Sequence, residues 1–392
     1  MDISPLNTWF EGFDIYPFVI AGPCSAESEE QIISTARFLK ETKKVSLFRA
    51  GIWKPRTRPG SFSGAGTKAL KWVERVKTEL SLRVTVEVAS PKHIEACLKH
   101  NVDVLWIGAR TVSNPFSVDE LSRALKGVDI PVLIKNPLSP DIDLWTGAIE
   151  RIYSSGIKRI AAVHRGFSPF ERTLYRNMPK WEIPIELRQR IRNIPLLCDP
   201  SHIAGRAGLV AEIAQKSMDL NMNGLMIEVH PNPDLALSDP AQQLNFEAFS
   251  KLMDGLVIRK PTTDNKGFLN QLDQLRQQID SIDHQLVELI ASRMRISEKM
   301  GDYKCKNNVT ILQMERWLEI LRTRTEQGTI LGLERPFMEE VMKLLHQESI
   351  RIQTEVMNTL KTNRECGSEK KGNKGNNNIN RNYPWDTSDA ED

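Results

Sequence analysis

The chain has 392 residues, a hydrophobic share of 40% and a formal net charge of +3 at pH 7. That length exceeds one ordinary domain, so two are expected, each with a packed core. So small a net charge argues against nucleic acid or an anionic membrane as partner, and no stretch approaches the ~20 apolar residues of a membrane span. Met1 to Phe10 lacks the basic and apolar succession of a signal peptide. The five cysteines, Cys24, Cys97, Cys198, Cys305 and Cys366, follow no paired spacing. Reduced thiols in a cytoplasm fit that pattern better than a disulfide framework.

From the start of the chain, short apolar runs alternate with amphipathic stretches. The runs are YPFVIAG, VSLFRAG, RVTVEVA, VDVLWIGA, PVLIKNP, KRIAAVHRG, IPLLCDPSH and GLMIEVHP. Between them, segments such as SEEQIISTARFLKETK and TKALKWVERVKTEL carry apolar residues at helical spacing. Eight strand–helix units predict a (β/α)8 barrel over residues 1–258, with strands apolar enough to be buried. A doubly wound open sheet is the alternative, but GPCS after the first strand is no glycine-rich fingerprint.

Residues 259–267, RKPTTDNKG, carry turn formers and no apolar periodicity, which marks a linker. Beyond it a helical domain is expected over 268–360. Leu269, Leu272, Leu275, Ile279, Ile282, Leu286, Leu289 and Ile290 mark one face of a helix unbroken from Phe268 to Gly301. Two further helices are expected near 310–327 and 335–360. A stripe this long needs a partner, so the domain should form a homodimer and could assemble further. Residues 361–392, with almost no apolar content, are expected to be a disordered tail.

Catalytic groups of such barrels sit at the C-terminal ends of the strands. Read in order, those ends offer Cys24, then Arg49 with Lys54 and Arg56, then Arg110, Lys135, and His164 with Arg165. The last two offer His202, then Glu228 with Asp239 shortly beyond. A lone arginine there would be a surface ion pair, but this many cations would repel one another without anionic ligands. Phosphorylated substrates follow. Cys24, His202, Glu228 and Asp239 form a mixed thiolate, imidazole and carboxylate set suited to a divalent manganese, iron, cobalt or zinc ion. A Cys–His nucleophile is the rival reading, and it leaves Glu228 and Asp239 without a purpose. His93, His100, His284 and His346 fall on helical positions and read as surface.

The segments GPCSAES, RAGIWKPRTRPGSFSG, IGAR, IKNP, HRGF, DPSHIAGR and EVHPNPDLALSD, in this order, resemble the type I-beta 3-deoxy-7-phosphoheptulonate (DAHP) synthases. The resemblance implies condensation of phosphoenolpyruvate with erythrose 4-phosphate and water, with release of phosphate, the first step of the shikimate pathway. It makes Cys24, His202, Glu228 and Asp239 the metal ligands. It also places Arg110, Lys135 and Arg165 around phosphoenolpyruvate, with Arg49 and Lys54 near its carboxylate and Ala109 and His164 alongside. Lys54, Pro55, Arg56 and Thr57 would hold erythrose 4-phosphate. The related 3-deoxy-octulosonate 8-phosphate synthases typically read KAN where this chain has Lys54-Pro55-Arg56.

The C-terminal part resembles the all-helical chorismate mutases, which rearrange chorismate to prephenate. The resemblance makes Lys304 and Gln353 catalytic and Arg276, Arg293, Gln313, Arg316 and Ser349 substrate-binding. Arg293 and Lys304, eleven residues apart, share a helix face to within about 20°. Trp317 stands where the family usually has a glutamate, and Gln313 where aspartate is frequent. A helical module that binds chorismate or prephenate without turnover is the competing reading. Only about fifteen residues precede the first strand, so feedback control of the barrel is expected to act through the mutase pocket.

Overall fold

Strand alternation with a period of two positions everything else. In the computed structural model, residues 1–54, 60–170, 173–260 and 262–368 are described, with only the backbone of 360–368. Eight parallel strands close a barrel in sequence order: β1 (Phe18–Gly22), β2 (Leu47–Ala50), β3 (Val84–Val88), β4 (Val104–Ile107), β5 (Val132–Lys135), β6 (Ile160–His164), β7 (Leu196–Cys198) and β8 (Gly224–Glu228). The closing pair β8–β1 is in register from Phe18 opposite Gly224 to Gly22 opposite Glu228. All eight apolar runs form strands, as the sequence predicts.

One set of alternate residues points into the barrel. Ile20, Leu47, Val104, Trp106, Leu133, Val163, Leu197 and Met226 fill its interior with Leu6, Trp9 and Phe13 from the segment before β1. The other set, including Val19, Phe48, Val86, Ile107, Ile134 and Ala162, packs against the surrounding helices. Those helices start on ordinary signals. Ser28 accepts from the Gln31 N–H to cap Glu29–Glu41, and Asp141 accepts from the Leu144 N–H to cap Ile142–Ser154. The apolar role of the first seventeen residues was not legible as periodicity, because no regular element longer than the short helix Leu6–Thr8 carries it.

The chain divides into a unit 1–262 and a unit from Thr263 onward. The second unit holds three helices among its described residues: Lys266–Lys306, Met314–Ile330 and Arg335–Ser368. The first has 41 residues, about 60 Å at ~1.5 Å per residue. Asn265 caps it by accepting from the Phe268 N–H. The third helix packs on both of the others and runs to Ser368, past the expected end at 360. Residues 369–392, most of the expected tail, lie outside the described residues.

Parity also decides where His164 goes. It belongs to the outward set of β6, behind the sheet, among Trp145, Phe167 and Trp181 at ring-centroid distances of 6.5, 5.8 and 5.2 Å. Burial pulls its imidazole down to a pKa of about 3. Unfolded, it returns to about 6.5. The unfolded chain therefore takes up the proton first, so this residue's contribution to stability is complete above pH 6.5 and is lost as pH falls toward 3. The thermal midpoint of the barrel should fall between pH 6.5 and 4.5, and less steeply in His164→Phe, which keeps the apolar volume. Identical slopes in melting curves of the two proteins would contradict this account of His164.

Candidate functional site

The inward set that fills the barrel changes character at the strands' C-terminal ends. Beyond Ile20 it continues to Cys24; beyond Leu47 comes Arg49, beyond Leu133 Lys135, beyond Val163 Arg165, beyond Leu197 Asp199 and beyond Met226 Glu228. Gly22 makes the close approach of β1 and β2 possible. Its φ is +149°, and a Cβ there would stand 2.1 Å from the Arg49 carbonyl oxygen.

Charges inside the mouth are paired. Arg49, 1% exposed, donates Nη2 to Glu228 Oε1 at 3.0 Å, with its guanidinium 5.1 Å above the Trp106 ring. Lys135 Nζ donates to Asp199 Oδ2 at 2.7 Å. Asp199 also accepts the His202 N–H at 3.1 Å and lies 2.8 Å from His202 Nδ1. The other ring nitrogen, Nε2, is 3.7 Å from Glu228 Oε1. Gln242 Nε2 donates to Glu228 Oε2 at 2.7 Å. Cys24 Sγ lies 3.3 Å from Asp239 Oδ2, and the Cys24 N–H donates to Gln243 Oε1 at 2.9 Å. Asp239, in left-handed backbone at φ +47°, accepts from Arg176 Nη1 at 2.9 Å. Arg165 Nη1 donates to Asn177 Oδ1 at 2.7 Å.

Burial sets the protonation landscape. It pushes the Cys24 thiol up to about 12, reinforced by the Glu228 and Asp239 carboxylates. It pulls Arg165 down to about 10, Lys135 below the ordinary lysine range and His202 below the ordinary imidazole range. Burial alone would raise Asp199 and Glu228, yet His202 helped by Lys135 and Arg49 holds Asp199 well down, and His202 with Arg49 and Lys54 lowers Glu228.

Arg49, Lys54, Arg110, Lys135, Arg165 and Arg176 line one cavity together with Ala109, Glu87, His202 and Asp239. The predicted cations therefore converge, while His164 stays behind the sheet. Pro55, Arg56 and Thr57 lie outside the described residues. Sequence reading passed over Glu87, Arg176, Asp199, Gln242 and Gln243. Parity along TVEV could have found Glu87, and its place beside Gly108, where a Cβ would stand 2.0 Å from Glu87 Oε1, shows how tightly it is held. Arg176 comes from a loop without period and gave no signal.

The four expected metal donors fall into two pairs, Cys24 with Asp239 at 3.3 Å and His202 with Glu228 at 3.7 Å. Among the described residues no three His, Cys, Asp or Glu side chains form a ready-made cluster. The donor chemistry nevertheless fits a divalent ion: a buried thiol beside carboxylates, and an imidazole with Nδ1 2.8 Å from Asp199 and Nε2 on the side of Glu228.

In the helical unit, Arg293 of the first helix meets Ser349 of the third, and Arg293 and Lys304 both lie in electrostatic reach of His346 on that third helix. Arg293 Nη1 donates to the Leu345 carbonyl at 2.9 Å and to Ser349 Oγ at 2.5 Å. Gln353 is 5% exposed and donates Nε2 to the Ser349 carbonyl at 3.2 Å. Lys304 Nζ donates to the Ile311 carbonyl at 2.5 Å. Gly301 allows the helices to close, since a Cβ there would lie 3.0 Å from Gln353 Cα. Burial lowers both Arg293 and Lys304 from their ordinary ranges. Arg276, Gln313 and Arg316 are not brought in. Arg276 pairs with Asp273 at 3.1 Å, Arg316 with Glu319 at 2.6 Å, and Gln313 is exposed at the start of Met314–Ile330. Arg276 is seventeen residues from Arg293, about 26 Å along the helix.

Residues 2–259 match the family model of the DAHP synthetase I family, and residues 275–354 match that of chorismate mutase type II. The phospho-2-dehydro-3-deoxyheptonate aldolase of Thermotoga maritima is 34% identical over 61% of this chain and 68% of its own length. A 2-dehydro-3-deoxyphosphooctonate aldolase of Xylella fastidiosa is 31% identical over 65% of this chain and 95% of its own. The crystal structure of the Thermotoga maritima DAHP synthase matches with a TM-score of 0.54 at 33% identity, covering 60% of this chain and 67% of that one. With the barrel, its cationic mouth and the helical pocket accounted for, the chain belongs to the DAHP synthetase I family and carries a type II chorismate mutase domain after the barrel in sequence.

Proposed function

We propose that the barrel joins phosphoenolpyruvate, erythrose 4-phosphate and water into 3-deoxy-D-arabino-heptulosonate 7-phosphate and phosphate, and that the helical unit converts chorismate to prephenate. The observation that carries the first half is the mouth, where six cationic side chains surround one cavity. Both substrates carry a phosphate and one adds a carboxylate, so their charge is complementary to this concentration of cations. Arg110, Lys135 and Arg165 hold the phosphate of phosphoenolpyruvate and Arg49 and Lys54 its carboxylate, with Ala109 at the wall. Lys54 with Pro55, Arg56 and Thr57 holds the sugar phosphate.

Held this way, C3 of the enol faces the aldehyde carbon. The C3–C1 bond forms as the carbonyl electrons move to oxygen and water adds at C2. One water proton goes to the new alkoxide, and the bond from C2 to the phosphate oxygen breaks as the other is lost to the departing phosphate, leaving the C2 ketone. The chain's contribution is orientation and a fixed positive field around charge that shifts during the reaction. Cys24, His202, Glu228 and Asp239 would hold a divalent manganese, cobalt, iron or zinc ion, which when bound supplies Lewis-acid polarisation of the aldehyde. Asp199 orients His202, Gln242 and Arg49 hold Glu228, and Gln243 holds the backbone at Cys24. A cytoplasmic setting accords with free thiols at Cys24, Cys97, Cys198 and Cys305.

In the helical unit the reaction needs only a compact conformer of the dicarboxylate and positive charge at the breaking ether bond. Arg293 and Lys304 supply the charge, and Gln353 the hydrogen bond. Ile279, Ile282, Leu286 and Leu289 of the first helix are 57%, 62%, 52% and 68% exposed. A stripe of that kind is covered by a second copy, which would also bring Arg276 to the partner's pocket.

Chelation should abolish condensation, and Cys24→Ser should lose the metal because an alcohol is a far poorer ligand than a thiolate. Full activity in excess chelator, with no metal found by elemental analysis, would contradict the ligand assignment. Arabinose 5-phosphate offered in place of erythrose 4-phosphate should be turned over poorly; a preference for it would favour the octulosonate reading that the Xylella fastidiosa relative represents.

Lys304→Ala should lower prephenate formation 10²–10³-fold or so while condensation continues near the wild-type rate. Added prephenate should slow condensation by the intact chain and not by a chain ending at Arg259, placing feedback on the helical unit. Normal prephenate formation by the variant, or equal inhibition of both chains, would overturn the respective assignment. Sedimentation equilibrium should give a dimer, and a mass of one chain at micromolar concentration would remove the partner from the account.

A further inference from the structure

Trp317 and His346 sit beside the mutase pocket, yet the rearrangement as described uses neither. The sequence reading treated His346 as a surface residue. Instead, its ring lies 3.9 Å from that of Trp317 and within 8° of parallel. It is one turn before Ser349 on the same helix, so the two share a face. His346 Nε2 is buried and bonded to no group among the described residues. Burial disfavours the imidazolium, and the cations Arg293 and Lys304 oppose it further.

A neutral imidazole keeps one N–H and one lone pair. Its face is occupied by the indole of Trp317, so only the ring edge can bond. That edge stands in the field of the two cations that draw in a dicarboxylate. Carboxylates can only accept hydrogen bonds, whereas a hydroxyl can donate or accept and so pairs with either tautomer. Chorismate carries one such hydroxyl.

We infer that His346 is a substrate-binding residue of the mutase pocket, its Nε2 hydrogen-bonded to the chorismate hydroxyl, with Trp317 the plate that fixes the imidazole. The inference rests on the mutase reading above. It gives Trp317 a purpose: an aromatic face that holds the His346 ring in place.

The test uses the intact chain and the consumption of chorismate followed by absorbance. His346→Phe keeps a ring to stack on Trp317 and removes both nitrogens. His346→Gln gives up the ring and keeps a donor and an acceptor. KM for chorismate should rise about tenfold in the Phe variant, the scale of one hydrogen bond to a ligand, with a much smaller change in kcat. The Gln variant should stay within about threefold of wild type.

A Phe variant with the wild-type KM, or a Gln variant as impaired as the Phe variant, overturns the proposal, since a purely packing role predicts one or the other. If circular dichroism shows that the Phe variant has lost helix, the Gln variant's KM decides alone. No chorismate turnover by the wild-type chain would fail the mutase reading and take the proposal with it. That result differs from wild-type turnover accompanied by an indifferent Phe variant.

Discussion

Arg49 and Lys135 are placed at strand ends with almost no access to water, and each is kept there by a single carboxylate. Glu228 answers Arg49 at 3.0 Å, Asp199 answers Lys135 at 2.7 Å, and His202 lies between the two carboxylates. Removing one partner from such a pair leaves an uncompensated buried charge, which costs far more than the pair itself contributes. The floor of the mouth is thus an interlocked set in which each group fixes the next. Above it, Arg110, Arg165, Lys54 and Arg176 line the cavity together with Glu87 and Asp239, and Asp239 accepts from Arg176 at 2.9 Å. A paired floor gives the site its rigidity, and the cations gathered around the cavity are the basis of the proposed phosphate binding.

The barrel imposes this arrangement through parity. Residues at even steps beyond an interior apolar residue point into the mouth, so Cys24, four beyond Ile20, joins Arg49, Lys135, Arg165, Asp199 and Glu228, each two beyond its own. One position away the outcome reverses. His164 adjoins Arg165 in the chain and lies behind the sheet, in an apolar cage where its imidazole stays neutral.

Most of the fold was legible because parallel strands buried on both faces leave continuous apolar runs, and long helices leave long periodic stripes. All eight strands and the helix Lys266–Lys306 were read that way. The cations and donors of the mouth were legible because strand ends are marked by the turn residues after them. What escaped depends on folding rather than pattern. Arg176 and Gln242 approach Asp239 and Glu228 from loops, and Asp199 reads as a helix cap until its contacts with Lys135 and His202 are seen. His346 looked like helix surface because Trp317, which covers it, comes from a different helix. Arg276 and Arg316 were legible as charges, but the single chain leaves both paired with their own helices.

The central claim is that the mouth is an anion site awaiting two phosphates, and equilibrium binding tests it without depending on turnover. Isothermal titration of phosphoenolpyruvate into the intact chain should show one saturable site per chain. The barrel's thermal midpoint should rise with ligand concentration, as linkage requires of any ligand that prefers the folded state. Affinity should fall as salt is added, because Arg110 and Arg176 are exposed to solvent. No saturable heat and no shift in the midpoint at millimolar phosphoenolpyruvate would contradict the account at its root.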